Sequence, residues 1–184
     1  MITYRGINIY LKDNKSHAVL RDLMQIHKTQ CPGATFAYIA SDSLLPGLTL
    51  WENLHIVSGG MNWQEVLGSA SKEEQSLMRL IKNPSVLTSE AHSWERFIIS
   101  LLKGLKTRGN LLINMEEDEL TPMMVQLFKK VFVLIKRNII IASKAESIWL
   151  DCCTRIYSKK DYAIHIEELL NPDQVEELWL KKTA

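Results

Sequence analysis

Cysteine is scarce in this chain. Its 184 residues hold three, Cys31, Cys152 and Cys153, two of them adjacent and none at the spacing of a metal knuckle. An odd, unspaced set excludes a disulfide framework, and buried reduced thiols of a cytoplasmic protein are expected. Long apolar runs are missing as well: no stretch reaches the ~18 residues of a membrane-spanning helix. Neither charge sign dominates. The net charge is +1, so the total gives no long-range attraction to nucleic acid or anionic lipid, and no nucleic-acid partner is expected. Met1 to Gly6 lack the charged and apolar regions of a signal peptide, which again places the expected location in the cytoplasm. The histidines at 17, 27, 55, 92 and 165 are scattered without ligand spacing, so no metal site and no cofactor is expected. No internal repeat, low-complexity tract or linker interrupts the chain, and residues 1–184 are read as one domain.

What is present is ordinary for a folded protein, 46% hydrophobic and 23% charged. Ile7 to Leu11 is a short β-rich run, and Thr35 to Ala40 is a second. Ser16 to Lys28 carries apolar residues at helical spacing. Leu50 to Val57, Trp63 to Leu67 and Lys72 to Ile81 read as short helices separated by the Gly59-Gly60 break and polar connectors. Ser89 to Lys106 is the longest helical pattern, with Arg108 to Asn110 ending it and Gly109 placed as the stop. Leu111 to Asn114 and Asn138 to Ala142 are continuous apolar runs of the kind buried on both faces of a parallel sheet. Between them, Thr121 and Pro122 are an N-cap and a first-turn proline for a helix to about Ile135. Lys144 to Leu150 reads as a short helix, Arg155 to Tyr157 and Tyr162 to His165 as short strands, and Asn171 to Lys182 as a capped terminal helix. Strands alternating with helices predict an α/β fold, a mostly parallel sheet flanked by helices. A helical subdomain is expected at about residues 50–90.

Several of these segments resemble the ATPase subunits of ABC transporters. The stretch from Ser41 to Leu54, and within it Leu48 to Leu54 (LTLWENL), is similar to the segment that follows the family's Q-loop. Val86 to Phe97 stands where the family has its signature loop and following helix, and Leu111 to Asn114 where it has the Walker B strand. Leu120 and Thr121 take the place of the D-loop, Ile139 to Lys144 resembles the strand leading to the switch histidine, and Arg155 to Tyr162 resembles the final hairpin. The likeness runs from about Ile7 to Leu170. It implies a P-loop-NTPase-like sheet with a helical subdomain. It implies only a reduced antiparallel subdomain, because the span from Lys15 to Ser41 is too short for the usual one.

Set against that pattern, the chemistry is missing. A phosphate-binding loop works because glycines let successive backbone N–H groups converge on the phosphates, and its lysine then reaches the β and γ groups. Here Lys15 and Ser16 stand in the lysine and Mg²⁺-ligand places, but no glycine stands between Gly6 and Lys15, and Asp13 would repel a triphosphate. The resemblance puts Ser41 in the place of the Q-loop glutamine. Asn114 takes the place of the metal-holding aspartate, and Met115 that of the catalytic glutamate. A one-residue slip would bring Glu116 to the glutamate place while moving Met115 onto the metal position. Thr121 replaces the D-loop aspartate, Lys144 the switch histidine, and Thr88 to Ala91 the glycine-bearing signature. Loss of metal ligand, base and loop together leaves no useful phosphoryl transfer.

Other clusters have plainer readings. The acidic run Glu116 to Glu119 is expected to be a solvated first turn favoured by a helix dipole. The paired basics Lys129-Lys130, Lys136-Arg137, Lys159-Lys160 and Lys181-Lys182 are expected on solvated faces. Trp51, Met61 and Trp63 are residue types enriched at interfaces, and with Glu52 they form a candidate partner surface. The resemblance therefore implies a pseudo-ATPase, accessory to an ABC transporter permease or ATPase subunit. It would pair as a homodimer or heterodimer and reach the inner face of the cytoplasmic membrane only through its partner. Two other readings stay open: a nucleotide sensor that does not hydrolyse, and an unrelated small α/β enzyme.

Overall fold

The computed structural model describes residues 6–12, 18–117, 119–135, 137–144, 146–160 and 163–169. The expected C-terminal helix, and Lys15 and Ser16, lie outside them. The strands are β1 (Gly6–Leu11), β2 (Phe36–Ile39), β3 (Asn110–Asn114), β4 (Asn138–Ser143), β5 (Arg155–Lys160) and β6 (Ala163–Glu168). They form one six-stranded sheet in the order β2-β3-β4-β1-β5-β6. All pairings are parallel except the terminal hairpin β5–β6. This is the α/β fold expected. Its antiparallel part is that single hairpin, continuous with the main sheet; among the described residues there is no separate antiparallel unit.

The strands alternate between two cores. Ile7, Ile9, Ile39, Leu111, Ile113, Ile139, Ile141 and Ile156 face one side, where helices α5 (Ser93–Lys106) and α6 (Pro122–Leu134) cover them. Tyr10, Leu112, Ile140, Ala142 and Tyr157 face the other side and meet α1 (Val19–Gln30) through Leu23 and Ile26. Burial on both faces explains why the central strands read as unbroken apolar runs rather than alternating ones. Asn8, a buried polar residue of β1, is satisfied: its amide donates to Asn138 Oδ1 at 2.7 Å and to the Ile139 carbonyl at 3.1 Å.

The helices between residues 50 and 78 are short: α2 (Leu50–His55), α3 (Trp63–Ser69) and α4 (Lys72–Met78). At this length propensity alone does not sustain a helix. Each is started by a reciprocal capping box, Thr49 with Glu52, Asn62 with Glu65, and Ser71 with Glu74. In each the cap side chain receives the third helical N–H and the glutamate returns to the cap N–H. These hydrogen bonds hold the Glu52 carboxyl below the usual carboxylate range. Packing does the rest. Leu50, Leu54, Val66, Leu77 and Met78 join the same buried cluster as the sheet, so the helical region shares the central core.

Three expectations are corrected. The long helix begins at Ser93 rather than Ser89, because Thr88 is held back on the Leu48 carbonyl at 2.9 Å and Leu87 bridges Thr49. The segment after β4 tightens into a 3₁₀ turn over Glu146–Ile148. Gly109 is no helix stop: the helix ends at Lys106, and among the glycines positive φ is confined to Gly33, Gly59 and Gly60. Gly109 is needed for close approach. A Cβ there would lie 2.8 Å from Phe36 Cα and 2.9 Å from its nitrogen, both main-chain atoms of β2. Gly109→Ala is therefore expected to push β2 away from β3 and to destabilise by about 2–3 kcal/mol, in the range of core overpacking. Urea unfolding checks this, and an unchanged midpoint would contradict it.

Candidate functional site

The C-terminal ends of the parallel strands form the candidate site. Chain order reverses at β1: β2, β3 and β4 lie on one side of it and β5 on the other. In open α/β sheets such a switch point is where loops part and a ligand crevice opens. The residues assigned to nucleotide chemistry by resemblance, Ser41, Asn114, Met115 and Lys144, all sit at this edge, just after β2, at the end of β3 and after β4.

Lys12 occupies the centre of this edge. It follows β1 directly, and its main-chain N–H donates to the Ser143 carbonyl at 3.0 Å. Its side chain reaches across β4 toward β3. The ammonium donates to Asn114 Oδ1 at 2.8 Å and to the Met115 carbonyl at 2.6 Å. The position given by resemblance to a metal-holding carboxylate is thus a neutral amide already engaged by a cation of the protein itself. Tyr38 stands beside it. Burial raises its phenol pKa, the carboxylates of Asp42 and Glu116 add to the rise, and a hydrogen bond with Asn114 opposes them.

Met115 points the other way. It is 1% exposed and its side chain lies in the α5–α6 core, so that side chain has no access to the edge. Glu116 does: its carboxylate accepts from Ser41 Oγ at 3.1 Å. The structure joins Ser41 to Glu116 and separates both from the Met115 side chain. Lys144 is exposed, and its main-chain N–H donates to Glu117 Oε2 at 3.2 Å. Glu117 also accepts from the buried Ser143 hydroxyl, which in turn receives the Trp149 indole N–H at 3.1 Å.

The acidic run is solvated at Glu116 and Glu119, as expected, but it is not a helix turn. Helix α6 starts only at Pro122, capped by Thr121, whose hydroxyl accepts from the Met124 N–H at 3.3 Å. Glu116, Glu117 and Glu119 each hold a hydroxyl from another element, those of Ser41, Ser143 and Ser93 respectively. They tie the loop after β3 to the ends of β2 and β4 and to the start of α5. No group of three metal-ligating side chains occurs among the described residues.

A solved structure shares this fold. CbiO1 of Clostridium perfringens, described as part of the ABC transporter complex CbiONQ, superposes with a TM-score of 0.60 over 100% of this chain and 85% of its own. The two sequences are 13% identical, so the likeness establishes architecture alone. Neither a family model nor a curated protein sequence matches this chain. No described helix is long and apolar enough to cross a membrane.

The second candidate surface lies on the helical region. Trp51 and Trp63 meet edge-to-face with ring centroids 5.9 Å apart, and His55 packs on Trp51 at 5.1 Å. Both indoles are half-buried against the core. Met61 and Ile56 stand 42% and 58% exposed nearby in the chain. Glu52 is spent on the α2 cap. The structure thus keeps a mixed aromatic and aliphatic surface here and gives Glu52 an internal partner.

Lys12 was missed in the sequence. Its only signal is position, a cation directly after strand β1. That it meets Asn114, more than a hundred residues away, follows from strand order alone.

Proposed function

We propose that this chain is a catalytically inactive relative in fold of ABC transporter ATPases, acting as an accessory or regulatory protein beside a transporter permease or a true ATPase. One observation carries the reading: the Lys12 ammonium sits on Asn114 Oδ1 and the Met115 carbonyl. A divalent cation brought to the same oxygens would face a fixed positive charge at contact distance, with a neutral amide in place of a carboxylate. Phosphoryl transfer depends on a bound metal to neutralise the developing charge and on a positioned base. Here the ammonium discourages the first, and burial of Met115 removes the second from its assigned place. The fold shared with a component of an ABC transporter complex and the half-exposed Trp51–Trp63 pair support a role in protein contact.

The purified protein is expected to hydrolyse Mg²⁺-ATP no faster than a buffer control. It should also show no thermal shift at millimolar nucleotide, since a ligand bound to the native state raises stability by mass action. Robust turnover that disappears in Glu116→Gln would sink this reading and identify Glu116 as the base. Affinity capture on the native chain tests the partner: a co-purifying ABC permease or ATPase is the expected result, weakened by Trp51→Ala.

A further inference from the structure

The loop after β3 is held from four sides, and its first tie is a cation. The Met115 N–H donates to the Ala142 carbonyl at 3.2 Å, and the Met115 carbonyl accepts the Lys12 ammonium at 2.6 Å. Further on, Glu116 takes the Ser41 hydroxyl, Glu117 the Ser143 hydroxyl and the Lys144 N–H, and Glu119 the Ser93 hydroxyl. The Leu120 N–H folds back on the Glu117 carbonyl at 3.0 Å. Residues at the ends of β1, β2 and β4 and at the start of α5 thus grip one short segment.

The Lys12 tie differs in kind from the others. Glu116 and Glu119 are exposed, so water competes with their hydroxyl partners. Lys12 instead reaches across β4 to two neutral oxygens, Asn114 Oδ1 and the Met115 carbonyl. Side-chain amide and main-chain carbonyl oxygens are also what a hard metal ion takes. A diffusible ion on such oxygens comes and goes with its concentration, and a loop ordered that way is a switch. An ammonium carried by the chain does not leave. The Lys12 N–H is pinned to the Ser143 carbonyl at 3.0 Å, and tethering keeps the effective concentration of the charge high.

The loop also reaches beyond the edge. Ser93 opens α5, and Phe97, Ile98 and Leu101 of α5 share a buried cluster with Leu50 and Leu54 of α2. Trp51 stands on α2. A loop that stays closed therefore keeps one foundation under the aromatic surface.

We infer that Lys12 is a tethered cation that keeps the loop after β3 closed at all times, so that the helical surface is presented in one arrangement with or without nucleotide or divalent metal. The inference rests on the proposed function only in taking that surface as the one a partner meets.

Hydrogen exchange of the amides of residues 115–117, in the full chain, tests the lock. In the parent, exchange is expected to be unchanged by millimolar Mg²⁺ or Mg²⁺-ATP. Lys12→Met keeps the length and removes the charge. It should speed exchange there about tenfold, the loss of one charge-assisted hydrogen bond, while Ile139 to Ile141 of β4 stay protected. Lys12→Arg should stay near the parent. An unchanged rate in Lys12→Met overturns the lock. So does a parent loop that slows when Mg²⁺ is added, because it would then be gated by the ion. Should Lys12→Met fail to fold, Mn²⁺ binding to Asn114→Asp, followed by electron paramagnetic resonance, stands alone. The Lys12 ammonium should neutralise the new carboxylate and leave Mn²⁺ affinity close to that of the parent. A gain of about tenfold or more would show that the ammonium does not hold the cation's place. ATP turnover by the parent would sink the reading of function, whereas an unchanged loop in Lys12→Met without turnover sinks this inference alone.

Discussion

Trp149→Ala is expected to lower the unfolding free energy by about 4 kcal/mol, the scale of an aromatic deleted from a packed core. Trp149 is fully buried, and its ring stacks at a tilt on Phe132 with centroids 5.9 Å apart. Phe132 continues to Phe128 and Phe97, so the indole terminates an aromatic row that fixes α6 on α5. It also donates to Ser143 Oγ. Trp149→Phe separates the two contributions. It keeps most of the volume and removes the N–H, for a loss of about 1 kcal/mol. Denaturant unfolding followed by far-UV circular dichroism checks both, and equal losses in the two variants would contradict the assignment. Because Ser143 carries Glu117, the alanine variant should also loosen the loop after β3, seen as faster exchange of the Lys144 amide.

The second large effect is expected at Asp22. Its carboxylate is 1% exposed and accepts the Tyr10 hydroxyl at 2.8 Å and the Lys159 ammonium at 2.9 Å. Asp22→Ala removes a buried carboxylate that both the Tyr10 hydroxyl and the Lys159 ammonium use, at a cost of about 3 kcal/mol. The Lys159 side chain is 31% exposed, so water recovers part of its solvation and keeps the loss at the lower end of the range for buried pairs. Asp22→Asn should lose less, since the amide still accepts from Tyr10. The control is the triple variant Asp22→Leu, Tyr10→Phe and Lys159→Met, expected near the parent stability because the three polar groups are replaced together. A triple variant as unstable as Asp22→Ala would mean that packing, not polar satisfaction, sets the loss.

The site was legible in part. Ser41, Asn114 and Lys144 were singled out by resemblance, and the structure sets them at or just after the ends of β2, β3 and β4. The pairing of Ser41 with Glu116 was not legible. It depends on which way the chain turns after Asn114, and strand alternation sends Met115 into the core and frees Glu116. Nor was the use of the acidic run legible. A string of glutamates before a helix reads as its first turn because nothing local reveals that Ser41, Ser93 and Ser143 converge on it.

The sequence by itself determined the elements and their layering. Unbroken apolar runs at Leu111–Ile113 and Ile139–Ala142 specify strands covered on both faces, and helical spacing around Leu23 and Ile26 or Phe97 and Leu101 specifies the covering helices. Thr49, Asn62 and Ser71, each followed three residues later by glutamate, start the short helices. These are local signals, carried by neighbours in the chain. The tertiary structure decided the rest: Lys12 on Asn114 and Met115, Gly109 under Phe36, and Asp22 between Tyr10 and Lys159. Each joins parts of the chain that only the β2-β3-β4-β1-β5 order makes adjacent. A parallel sheet sets its neighbours by crossover, so the groups that meet at its edge are fixed by topology and not by spacing.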